Sequence, residues 1–153
     1  KAIQAANTAL EKSPNHRGAI MCKALVFISQ KTYSEANEEL NYLINFLEKN
    51  IKDDDLTGIG TLAAAYANRG IIKDRKENYE GALEDYLKAI KIDEEAVGGP
   101  GFGTVILNYK FKSSSVKKRA IYIYEQLQLP ENDRVLKIKA LDEGQVMHKP
   151  GKL

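Results

Sequence analysis

The sequence predicts an all-α protein built from antiparallel helix pairs, and three observations carry that expectation. Two stretches repeat one pattern of small and apolar residues at helical spacing. Each is preceded by a second helical run. A short polar turn joins the two runs each time. Length and composition agree: 153 residues suffice for one domain, and 43% hydrophobic with 29% charged residues suits a folded chain rather than a disordered one.

The elements follow in order. Ala2-x-x-x-Ala6-x-x-Ala9-Leu10, followed by Pro14, reads as a first helix. Ile20-x-x-x-Ala24-x-x-Phe27 is the second, ending near Gln30-Lys31-Thr32. Tyr33-x-x-Ala36-x-x-x-Leu40-x-x-Leu43-Ile44 is the third, and Leu47 and Ile51 keep its spacing beyond Asn50. Asp53-Asp54-Asp55 reads as a helix stop or as a cap for the next helix, because aspartate accepts from free helix N–H groups. Tyr66-x-x-x-Gly70 lies in the fourth helix, and Tyr79-x-x-Ala82-x-x-x-Tyr86-x-x-Ala89-Ile90 is the fifth. In both pairs the tyrosine follows the small residue at the same distance, Ala24 to Tyr33 and Gly70 to Tyr79. After Ala96 the pattern breaks into a glycine-rich loop at 98–103 and an apolar run, Thr104–Leu107. Ser113 to Ser115 then suggest a cap, and Val116, Ala120, Ile121, Tyr124 and Leu127 form one face of a last helix that stops before Pro130. Residues 131–153 read as an extended tail.

The run Tyr66-Ala67-Asn68-Arg69-Gly70, then Tyr79-Glu80-Gly81-Ala82-Leu83-Glu84-Asp85-Tyr86-Leu87-Lys88-Ala89-Ile90, resembles the tetratricopeptide repeat (TPR) family, whose period is about 34 residues. The resemblance implies an α-α superhelix of antiparallel helix pairs with a C-terminal capping helix. It divides a helical repeat domain, 1–130, into a half-repeat 1–16, a repeat 17–50, an insertion 51–62, a repeat 63–96, and a glycine-rich loop with capping helix 97–130, before the tail 131–153. Lys73, Leu43, Glu48 and Glu94 depart from the family pattern. Helix 2–12 lacks a partner, which leaves Ile3 and Leu10 under-covered, so a further segment is expected before Lys1.

The resemblance also implies a function: a protein–protein interaction scaffold that binds a peptide or protein segment in its concave groove. Motif positions place Met21, Leu25, Ile28, Ala67, Asn68, Ile71 and Arg75 in that groove, with Asn68 and Arg75 expected to face solvent as polar anchors. Asn68 matches the asparagine of the carboxylate-clamp members, but Met21 and Leu25 stand where polar clamp residues belong, which disfavours that subclass. Two alternatives stay open: a structural subunit that self-associates through exposed repeat ends, and an accessory region of a larger enzyme.

Other chemistry finds little support. Cys22 is the single cysteine, and His16 and His148 lie far apart, so no catalytic set, metal site or cofactor is expected. The aspartate run lacks the alternating ligands of a calcium loop. The 98–104 loop lacks the lysine of a phosphate-binding loop. Lys110, Lys112, Lys117, Lys118 and Arg119, with Tyr109 and Phe111 among them, read as a solvated face. A net charge of +2 gives no argument for nucleic acid or an anionic membrane, so no nucleic-acid partner is expected, and no run reaches the length of a membrane span. One cysteine fits a reducing compartment, which favours a cytoplasmic location over a periplasmic or secreted one and leaves the compartment open.

Overall fold

The computed structural model describes residues 1–97 and 115–139. Among them lie six helices: α1 (Ala2–Lys12), α2 (Arg17–Ser29), α3 (Tyr33–Asn50), α4 (Leu56–Arg75), α5 (Tyr79–Val97) and α6 (Ser115–Leu127). A 3₁₀ turn at Glu131–Asp133 follows, and no strand occurs among the described residues. The expected glycine-rich loop, the run at 104–107, the basic and aromatic residues at 109–112 and the tail from 140 lie outside the described residues.

Each helix packs on the next described one, and α2 also touches α4. This order is what a hairpin array requires, because an isolated pair leaves one apolar face uncovered. The core runs through Ala24, Ile28, Ala36, Leu40, Leu43, Ile44, Ile71, Ala82, Tyr86 and Ile90, joined by Val116, Ala120 and Ile123 of α6.

The two complete hairpins share one turn. In the first, Thr32 N–H donates to the Phe27 carbonyl and Lys31 N–H to that of Ile28. In the second, Asn78 N–H donates to Lys73 and Glu77 N–H to Asp74. These are paired helix-ending bonds of the Schellman type, and they require a left-handed residue at the bend. Lys31 and Glu77 fill that position, both at φ 61°. His16 caps α2 by accepting from Ala19 N–H at 3.2 Å, and Asn78 accepts from Gly81 N–H at 3.1 Å at the start of α5.

Between the hairpins, α3 ends at Asn50, and Ile51 is extended (φ −70°, ψ 140°) rather than a continuation of the helical stripe. The extra length falls to α4, which begins at Leu56. Asp55 caps it by accepting from Gly58 N–H at 2.8 Å. The Arg17 guanidinium, paired to Asp55, holds that carboxyl below the usual carboxylate range and ties the start of α4 to the start of α2.

On α6 the buried residues are Val116, Arg119, Ala120, Ile121 and Ile123. Tyr124, expected on the packed face, is exposed instead. Val116, Ala120 and Ile121 are buried as expected, and Arg119 joins them because it has a buried counter-charge on α4. The segment after the 3₁₀ turn is held against α6: Tyr122 Oη donates to the Val135 carbonyl at 2.5 Å, and Val135 N–H donates to Gln126 Oε1 at 2.7 Å.

α4 and α5 come close together at Gly70. A Cβ there would fall 2.6 Å from Tyr86 Cδ1 and 3.2 Å from the Ala82 carbonyl oxygen. Tyr86 is fully buried and cannot move aside without losing its bond to Asp74. Gly70→Ala should therefore overpack the interface and lower stability by about 1–3 kcal/mol in urea unfolding, despite the higher helix propensity of alanine.

The turns give an opposite expectation. A left-handed side-chain residue costs roughly 1–2 kcal/mol, part of which glycine's larger unfolded-state freedom offsets. Lys31→Gly and Glu77→Gly should each raise stability by about 0.5–1 kcal/mol in the same assay.

Candidate functional site

The expected groove residues lie on α2 and α4. Met21 and Ile28 lie two helical turns apart on α2 and are both buried. On α4, Ala67, Asn68 and Ile71 are completely buried. Asn68 Nδ2 donates to the Ala64 carbonyl at 2.9 Å and lies 3.9 Å from the Met21 sulfur. All five residues are buried, and Asn68 meets Met21 where α2 and α4 touch. The expectation that Asn68 faces solvent is corrected: α4 is enclosed by its neighbours at this level, and the amide is satisfied within the array.

Two of the seven remain accessible. Leu25 is half-buried on α2. Arg75, the last residue of α4, is exposed, with its guanidinium 5.8 Å from the centre of the Tyr33 ring. Asn68 and Arg75 share a helix side, but the helix end emerges from the packing where its middle does not.

Sequence reasoning missed two buried polar networks. In the first, Asp74 of α4 accepts from Arg119 Nε at 2.8 Å and Nη2 at 2.7 Å, and from Tyr86 Oη at 3.0 Å. Arg119 also donates to the Leu136 carbonyl at 2.9 Å, which anchors the segment after α6. Arg119 is only 2% exposed, so the solvated-face reading of the basic run fails at this residue. Its spacing from Val116 and Ile123 was the available signal: an arginine on an apolar stripe.

The second network centres on Asp85 of α5, which is fully buried. It accepts from Arg69 Nε at 2.7 Å and Nη2 at 2.8 Å, and from Lys73 at 2.9 Å. Arg69 Nη1 reaches Asn41 of α3 at 2.8 Å, so one guanidinium joins three helices. Its bond to Asp85 holds Arg69 in the charged state against the opposing effect of burial. The same guanidinium and Lys88 lie over the Tyr66 ring at 5.2 and 5.4 Å, and Tyr66 Oη donates to Glu48. Burial, then the Glu48 contact, pushes the Tyr66 hydroxyl well above its ordinary value, so it stays a donor.

Among the described residues no three His, Cys, Asp or Glu side chains converge in a metal-binding group, and no helix is long and apolar enough to cross a membrane. Cys22 is a half-buried free thiol on α2.

Comparison with known proteins places part of the chain. It is 32% identical over 101 residues to DnaJ homolog subfamily C member 7 of mouse, a match covering 61% of this chain and 20% of the mouse protein. The chain thus spans about a fifth of the length of that relative. No family model matches the chain. No solved structure matches it significantly.

The Asp74–Arg119 pair yields a stability expectation. Arg119→Ala leaves a carboxylate buried without its cation and should cost about 3–5 kcal/mol. Asp74→Leu combined with Arg119→Leu should recover most of that loss, because no buried charge is then stranded. Urea titration of both variants measures the difference. A loss below about 1 kcal/mol in the single variant would show that the pair does not hold α6.

Proposed function

We propose that this chain is a protein-interaction module, a helical-hairpin array of the tetratricopeptide type that binds a segment of a protein partner and carries out no reaction of its own. The observation that supports this reading is the repeated hairpin. Both pairs turn through the same hydrogen bonds with a left-handed residue at Lys31 or Glu77, and both second helices begin at a tyrosine. The similarity to part of a DnaJ homolog is in keeping with it.

In this reading the partner segment lies along α2 and the exposed end of α4. Leu25 supplies apolar contact, and Arg75 forks onto a partner carboxylate, held in place by the Tyr33 ring beneath it. Met21, Ile28, Ala67, Asn68 and Ile71 act from below, by fixing how α2 and α4 sit together.

A photo-reactive residue at position 25 of the intact protein should capture the partner. Arg75→Ala should then weaken binding of the captured partner by about 1–3 kcal/mol, while stability changes by less than about 0.5 kcal/mol, as for other exposed positions. Unchanged affinity in Leu25→Ser combined with Arg75→Ala would reject this surface.

A further inference from the structure

A second surface stands apart from that face. Between the end of α1 and the outer flank of α3 lies an open furrow of about 390 Å³, lined by Leu10, Pro14, Ile20, Glu38, Glu39 and Tyr42. Its volume falls within the range of roughly 300–1,000 Å³ typical of binding clefts. Ile20 is buried at its floor, and Leu10 is half-buried beside it.

Tyr42 forms one wall. Its side chain is 50% exposed, unusual for an aromatic residue in the middle of a helix. It is held in position, because its hydroxyl donates to Asn15 Oδ1 at 2.5 Å across the α1–α2 turn. The rim carries two carboxylates, one of them already paired. Glu39 is tied to Lys23 across the α2–α3 pair, whereas Glu38 is exposed, and Glu35 stands one helical turn before it on the same flank. The furrow lining contains two carboxylates and no cation.

We propose that this furrow docks a partner peptide segment that presents an aliphatic side chain beside a lysine or arginine. The aliphatic group enters between Leu10, Ile20 and Tyr42. The neighbouring cation meets Glu38 at the rim, with Glu39 held alongside by Lys23. Charge complementarity selects this occupant: an acidic segment or a nucleic-acid backbone meets like charge at the rim and is repelled. A neutral apolar segment gains the floor contacts but nothing from the glutamates.

The test is an NMR titration of the full chain with three capped synthetic peptides: one with two leucines between lysines, one with glutamates in place of the lysines, and one with serines in place of the leucines. Shifts at Leu10, Ile20, Glu38 and Tyr42 are expected with the first peptide only, and they should weaken as salt is raised. Glu38→Lys, an exposed change, should weaken the first peptide about tenfold, as expected for reversing one rim charge. Four results overturn the proposal: equal binding of the glutamate peptide, no effect of Glu38→Lys, absence of shifts at these residues, or concentration-dependent shifts there without peptide, which would mean that a second copy fills the furrow. Shifts confined to Leu25 and Arg75 would reject the furrow while supporting the α2–α4 surface, so the two readings fail separately.

Discussion

The architecture depends on the enclosure of α4. This helix touches α2, α3 and α5, and through Asp74 it reaches α6 as well. From Thr61 to Asn68 none of its residues is exposed. A helix buried all round cannot follow the one-sided apolar pattern of a surface helix, and its side chains must be small wherever a neighbour comes close. Hence Ala63, Ala64, Ala65, Ala67 and Gly70 follow one another along it. Polar groups on such a helix have no water to turn to, and an unpaired one costs about 1–3 kcal/mol. Asn68, Arg69 and Asp74 are accordingly bonded inside the protein.

That enclosure separates what was legible in the sequence from what was not. The hairpins could be read because helical spacing and a polar turn are local signals. The tight position at Gly70 could be read because its distance from Tyr79 matched that of Ala24 from Tyr33. The groove could not. Periodicity tells which residues share a helix side, but not how many sides the neighbours cover. Carrying repeat positions onto Ala67, Asn68 and Ile71 assumed an open face on α4, and the structure closes it. Arg75 escaped only because it stands at the helix end.

Arg119 was misread for a related reason. Charged residues in a run such as Lys117-Lys118-Arg119 are mostly solvated, and the apolar spacing of Val116 and Ile123 around Arg119 hints at burial without naming a partner for the charge. The deciding partner, Asp74, lies 45 residues earlier in the chain. Asp85 poses the same difficulty: it sits on the packed side of α5 beside Ala82, Tyr86 and Ala89, and the cations that admit it, Arg69 and Lys73, belong to another helix. Long-range pairing of this kind becomes visible only when the helices are placed.

The two networks also bear on how such an array would serve the proposed binding. A buried ion pair adds little net stability over a well-packed apolar replacement, because desolvation offsets much of the attraction. Its demand is geometric. Arg69 must meet Asp85 with both nitrogens while also reaching Asn41, and Arg119 must fork onto Asp74 beside the Tyr86 hydroxyl. Sliding or rotating one helix breaks several short bonds at once, whereas an apolar contact yields gradually. In a repeat array the surface shown to a partner is set by the small rotation between successive units. Fixing α3, α4, α5 and α6 through directional bonds therefore fixes that rotation, so the buried charges contribute more to the shape of the outer surfaces than to the free energy of folding.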